Sequence, residues 1–121
     1  MTDFELITNL INQADQLASE KNVAAYLQLF TENGAITGAE GTAQGQGDLE
    51  KFLTKTWEKE PLTQHLTTSV IIEDISATKA HASSALLIVD TKKLKILGVN
   101  QVEHTLVKQN QKWQFSHRLI K

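Results

Sequence analysis

The stretch Lys79-Ala80-His81-Ala82-Ser83-Ser84-Ala85-Leu86-Leu87-Ile88-Val89-Asp90 has two alternating sets of side chains. Ser84, Leu86 and Ile88 form one, Ala85, Leu87 and Val89 the other, and neither is polar enough to face water. It reads as a strand covered on both sides. Leu62 to Glu73, Leu94 to Val107 and Lys112 to Ile120 are likewise rich in Val, Ile, Leu and Thr, and Asp74, Thr91-Lys92-Lys93 and Gln109-Asn110-Gln111 separate the segments. The pattern predicts four antiparallel strands joined by short turns. Helices cover one face; for the other, a second copy of the chain is the simplest candidate.

Upstream, the apolar period changes. Ile7, Leu10, Ile11, Ala14, Leu17 and Ala18 recur at helical spacing, so residues 4 to 31 read as two helices. The first ends around Glu20-Lys21, and Asn22 caps the second, whose apolar positions are Val23, Tyr26, Leu29 and Phe30. Asn33-Gly34 reads as its stop. Gly38, Gly41, Gly45 and Gly47 suit a short hairpin. Gly47 or Asp48 then caps a third helix with Leu49, Phe52, Leu53 and Trp57 on one stripe, ending before Pro61, the only proline. Helices first and a meander second predict an α+β fold, a curved antiparallel sheet packed against three N-terminal helices.

The chain has 121 residues, which predicts one domain over 1–121. Hydrophobic residues make up 40% and charged residues 21%, a composition that argues against disorder or a coiled coil. Twelve Lys and Arg against 14 Asp and Glu, with no basic block, leave neither a nucleic-acid footprint nor a membrane anchor. With no cysteine, disulfides and thiolate chemistry are out. The acidic start Met1-Thr2-Asp3-Phe4-Glu5 is unlike a signal peptide, so a cytoplasmic location is expected. The glycines match neither a dinucleotide fingerprint nor a phosphate loop, and no cofactor is expected.

Several strings resemble the SnoaL-like branch of the nuclear transport factor two-like superfamily. They are Asn22-Val23-Ala24-Ala25-Tyr26-Leu27-Gln28-Leu29-Phe30, then Glu32-Asn33-Gly34-Ala35-Ile36, then Gly45 with Leu49 and Phe52. After them come His65, Ala80 with Ala82, and the closing Trp113-Gln114-Phe115-Ser116-His117-Arg118. Their order spans nearly the whole chain. The resemblance implies a cone-shaped α+β barrel, a pocket between helices and concave sheet, and a homodimer paired through the sheets. It does not imply one reaction, since members include isomerases, dehydratases, dehydrochlorinases, polyketide cyclases and non-catalytic binding modules.

His65, in Thr63-Gln64-His65-Leu66-Thr67-Thr68-Ser69, is similar in position to the catalytic base of the dehydrochlorinases. An imidazole can take a proton from carbon at neutral pH if a carboxylate holds its other nitrogen. The resemblance puts that carboxylate late in the first helix, where this chain has Ser19; Asp15 lies one turn back and becomes the expected partner. The alternative is a histidine bonded to a backbone carbonyl at a strand start. Val102 and His104 are expected to face the pocket, at positions where many relatives hold a tyrosine and an aspartate. In the last strand, alternation puts Trp113, Phe115 and His117 on the pocket face and turns Arg118 away, to a surface or interface ion pair.

Trp57, Trp113, Phe52 and Phe115 either line a pocket for a small apolar or aromatic molecule or are simply core. The histidines lack metal-ligand spacing, so no metal is expected. Ketosteroid-isomerase chemistry is disfavoured, because Tyr26, the one tyrosine, is on helix two. The expected function is a small-molecule pocket, with His65 as the base of a cofactor-free lyase or isomerase, or a non-catalytic binding or dimerisation module of the same fold.

Overall fold

The computed structural model describes residues 1–60 and 62–121. The expected helix stop at Pro61 lies outside the described residues. Helix α1 (Asp3–Glu20) starts at a reciprocal cap: the Thr2 hydroxyl accepts from the Glu5 N–H at 3.1 Å, and the Glu5 carboxylate accepts from the Thr2 N–H at 3.2 Å. It ends, as the sequence predicts, at Lys21. That residue is left-handed (φ 58°), and the N–H groups of Lys21 and Asn22 return to the Ala18 and Leu17 carbonyls. A side chain in this conformation costs about 1–2 kcal/mol. The Lys21 ammonium, donating to the Thr63 hydroxyl at 2.7 Å, offsets part of it.

Asn22 caps α2 (Val23–Leu27) as expected, its side chain accepting from the Ala25 N–H at 3.1 Å. The helix stops before Leu29 and Phe30, which corrects the longer one read from the sequence. Phe30 pairs instead with Phe115 in the last strand, and the Leu29 carbonyl accepts from the Phe115 N–H at 2.8 Å. Strand pairing overrides local helical spacing here. Asn33-Gly34 therefore falls inside strand β1 (Phe30–Gly38) and is not a helix stop. A Cβ on Gly34 would come within 3.0 Å of the Phe30 ring and 3.1 Å of the Phe115 carbonyl, so only glycine fits. β1 and β2 (Gly41–Gln44) make the expected hairpin. Helix α3 (Gln46–Glu58) starts from Gly45, earlier than the expected Gly47 or Asp48, because Gly45 turns the chain at φ 85° and its N–H donates to the Gly34 carbonyl at 2.9 Å.

The meander follows as β3 (Thr63–Ile75), β4 (Lys79–Asp90), β5 (Lys95–Gln109) and β6 (Lys112–Ile120), each antiparallel to the next. The sheet has six strands in the order β2-β1-β6-β5-β4-β3. β1 lies parallel to β6, so the sheet is mixed where an all-antiparallel one is expected. The α1 residues Ile7, Ile11, Ala14 and Ala18 form one apolar core with Leu53 and Trp57 of α3 and Leu106 and Phe115 of the sheet. No described helix is long and apolar enough to cross a membrane.

One irregularity decides what enters the core. Thr105 stands opposite His117 but Leu106 stands opposite Phe115, so Ser116 is an extra residue on β6. An inserted residue reverses the alternation beyond it. Arg118 therefore turns inward at 2% exposure. His117 turns outward, where its Nε2 lies 2.8 Å from the Thr37 hydroxyl. Both outcomes correct the orientations read from an unbroken period of two.

Candidate functional site

A cavity of about 110 Å³ lies between the helices and the concave face of the sheet. Tyr26, Trp57, Leu86, Ile88 and Ile120 give it apolar walls, and Asp15, Glu60, His65, Asn100 and Arg118 bring polar groups to it. Ile36, Phe52, Thr56 and Ile120 also border a vestibule of about 240 Å³ beside the β1–β2 turn. A larger groove of about 390 Å³, between α1 and β3, reaches the other side of His65 but is lined mostly by polar surface residues such as Asn12, Gln16 and Gln64. The titratable groups gather at the inner cavity, which makes it the candidate site.

Arg118 is the centre of one cluster. Its Nη2 donates to Asp15 Oδ1 at 3.1 Å, its Nη1 donates to the Tyr26 hydroxyl at 2.6 Å, and the Thr67 hydroxyl donates to Asp15 Oδ2. Asp15 and Arg118 are each 2% exposed. Burial works against the guanidinium, but Tyr26 and Asp15 beside it outweigh burial and hold its pKa above the ordinary value. Burial pushes the Tyr26 phenol up; Asp15 adds to this and Arg118 opposes it. The Arg118 Nε finds no hydrogen-bond partner.

His65 belongs to a second pair. Its Nε2 lies 3.4 Å from Glu60 Oε2, within ion-pair reach but outside hydrogen-bond geometry, so Nε2 too has no hydrogen-bond partner. Burial alone would raise the Glu60 carboxyl; His65, with Lys21 behind it, outweighs burial and holds the group below the usual carboxylate range. The His65 backbone is fixed separately, its N–H donating to the Ser19 hydroxyl at 2.7 Å.

The expected pairing of His65 with Asp15 is not formed. Both carboxylate oxygens of Asp15 are taken by Arg118 and Thr67, and Glu60, in the segment joining α3 to β3, holds the place beside His65. Of the residues expected to face a ligand, Trp57 lines the cavity. Val102 is fully buried in the sheet. Trp113 is core and donates its indole N–H to Asp3 Oδ1 at 3.0 Å. Phe115 lies under the Arg118 guanidinium at 5.0 Å. His104 Nε2 lies 2.8 Å from the Ser84 hydroxyl, and burial, reinforced by the Arg118 charge, lowers its pKa to about 2. Among the described residues no three His, Cys, Asp or Glu side chains gather as metal ligands.

Arg118, Tyr26, Thr67 and Glu60 were not singled out for the site by sequence reasoning. The signal for Glu60 was present, since an acid five positions before a strand histidine can reach it across a turn. No period-based reading finds Arg118, because the bulge that turns it inward leaves no mark in the hydrophobic pattern.

The SnoaL-like domain family matches residues 1–119. No curated protein matches the chain. Among solved structures, a Nostoc punctiforme protein of unknown function with a cystatin-like fold is 25% identical, with a TM-score of 0.92 over 98% of this chain and 89% of that one. A Novosphingobium aromaticivorans NTF2-like protein with a cystatin-like fold is 18% identical, TM-score 0.89, covering 98% and 80%. A putative scytalone dehydratase from the same species is 22% identical, TM-score 0.83, covering 98% and 83%. The last two likenesses are of the fold alone.

Proposed function

The chain belongs to the SnoaL-like domain family, and we propose that it binds a small apolar or aromatic molecule in the inner cavity and acts on it as a cofactor-free lyase or isomerase. His65 is the general base and Glu60 the carboxylate that orients it. The observation that carries this reading is the His65–Glu60 contact of 3.4 Å at the wall of a cavity otherwise lined largely by apolar side chains. In the proposed reaction Nε2–H turns to Glu60 as the ligand binds, which puts the imidazole lone pair on Nδ1 to take a proton from a carbon acid; the imidazolium formed then faces the Glu60 carboxylate. The Ser19 bond to the His65 backbone supports the ring's position from the other side.

The test is deuterium uptake at the methyl carbon of acetophenone, followed by proton NMR. Uptake faster than in buffer, lost in His65→Ala and cut in Glu60→Gln, is the expected result. Uptake at the wild-type rate in folded His65→Ala overturns the base. Saturable binding with no uptake by any form favours the alternative, a pocketed binding module.

A second copy of this chain is the proposed partner, through the convex face of the sheet. Leu66, Leu87 and Val99 stand in register across β3, β4 and β5, with Ile96 beside Val89. Leu66, Ile96 and Val99 are 47%, 61% and 67% exposed. An ordinary interface of about 800 Å² per partner would cover roughly a ninth of the 7117 Å² surface. Sedimentation should give a dimer that Leu87→Asp converts to a folded monomer; a wild-type monomer at high concentration would refute it.

A further inference from the structure

The turn between β4 and β5 holds a leucine where neither its backbone nor its side chain is well accommodated. Leu94 is left-handed (φ 55°) and 84% exposed. That backbone strains any residue with a Cβ, and an apolar side chain in water gains nothing from burial to offset the strain. The other described non-glycine residues at positive φ are Lys21, Ser69, Asn110 and Gln111, all polar. Only Leu94 is apolar. Strain kept without an internal benefit directs attention to a contact outside the chain.

Three lysines flank it. Lys92, Lys93 and Lys95 are exposed, and none forms an ion pair among the described residues. The acid of the turn, Asp90, accepts from the N–H groups of Lys92 and Lys93, both at 3.0 Å. The tip is held in place, because the Thr91 N–H and hydroxyl both donate to the Leu62 carbonyl, at 2.9 and 3.0 Å. That contact puts the half-exposed Leu62 beside the tip. On the other side Leu97 is the extra residue of a bulge opposite Ile88 and Val89, and is 60% exposed.

We propose that the β4–β5 tip docks on an anionic phospholipid surface, with Leu94 entering the headgroup layer and Lys92, Lys93 and Lys95 meeting the lipid charges. Charge selects this occupant. A second copy seated tip to tip would set lysines against lysines, whereas an anionic bilayer offers each of them a partner. Leu94 also precedes β5, outside the Leu66-Leu87-Val99 row of the proposed dimer, and no residue of the tip lines the inner cavity. Three of the chain's 12 Lys and Arg fall within four positions, a concentration that a net charge of −2 conceals. Summing charge over the whole chain therefore showed no membrane contact. One leucine and three charges make a reversible contact that salt weakens.

The test is sedimentation of the protein with vesicles of phosphatidylcholine, alone or mixed about 3:1 with phosphatidylserine. Binding to the mixed vesicles only, reversed by salt, is the expected result. Lys92→Gln, Lys93→Gln and Lys95→Gln together should weaken it roughly a hundredfold, at about fivefold per lysine. Leu94→Asn should weaken it about tenfold. The same substitution should raise the urea midpoint, because asparagine suits a left-handed backbone, so the lost binding cannot come from unfolding. Protein that stays in solution with both vesicles, equal binding to both, or a Leu94→Asn variant that binds as the wild type overturns the proposal. Loss of the sedimentation dimer in Leu94→Asn with vesicle binding unchanged would make the tip a contact between copies and overturn it too.

Discussion

Two acid–base pairs line the same cavity and are built in opposite ways. Asp15 and Arg118 are each 2% exposed, and their contact is a hydrogen-bonded ion pair extended by Thr67 and Tyr26. The side chains of His65 and Glu60 are 8% and 18% exposed, and their contact is longer and outside hydrogen-bond geometry. A buried, hydrogen-bonded network ties four elements to one another: α1 through Asp15, α2 through Tyr26, β3 through Thr67 and β6 through Arg118. The looser pair at the wall leaves the His65 Nε2 without a hydrogen-bond partner. On the proposed reading, the difference separates the group that holds the cavity's shape from the group that changes protonation during the reaction.

Breaking the first pair should have the largest effect. Asp15→Ala leaves a buried guanidinium uncompensated, at a cost of about 3–5 kcal/mol, read as a fall in the urea midpoint. The double variant Asp15→Leu with Arg118→Met removes both charges and should recover much of that loss, since two apolar side chains replace a pair whose desolvation was itself unfavourable. If the double variant is no better than the single one, the network contributes more than charge balance.

His104 sharpens the comparison from the sheet side. It faces Ser84, Phe115 and the Arg118 charge, and its pKa in the fold is about 2. In the unfolded chain it titrates near 6.5. Between these values the unfolded state binds a proton that the native state refuses, so the native state loses about 1.4 kcal/mol per pH unit as pH falls below about 6.5, and about 2 kcal/mol by pH 5. Above that range the effect is absent. His104→Gln should flatten this part of the acid limb in urea titrations from pH 7 to 5; an unchanged slope would mean that the native state accepts the proton.

Much of the fold was legible because hydrophobic period reports which face is buried. The bounds of β4 and β6, the end of α1 and the Asn22 cap match the sequence reading. What was not legible depends on contacts distant in sequence. Phe30 leaves α2 because β6 offers it a partner, and Gly34 is required by a ring and a carbonyl that come together only in the fold. The site suffered most from one inserted residue: Ser116 exchanges the faces of His117 and Arg118, and with them the expected partner of Asp15. His65 was found as a type in a place; its carboxylate neighbour was not, because a loop residue carries no period.

The smallest stability change should come from Glu60→Gln. The pair is partly exposed and its contact long, so its loss should cost less than about 1 kcal/mol. Function should respond far more. In the proposed mechanism Glu60 fixes which nitrogen of His65 carries the proton and stabilises the imidazolium, a role whose removal can cost about 10²-fold or more in proton transfer. A neutral amide at position 60 can accept from Nε2–H and keep the ring in place while supplying no charge. Binding of acetophenone should then persist, with deuterium uptake reduced. Glu60→Ala, which also frees the ring, should lose more uptake than Glu60→Gln. Equal losses would mean that orientation contributes nothing beyond charge. A glutamine variant as active as the wild type would mean that Glu60 is only a neighbour, and the two pairs would no longer differ in kind.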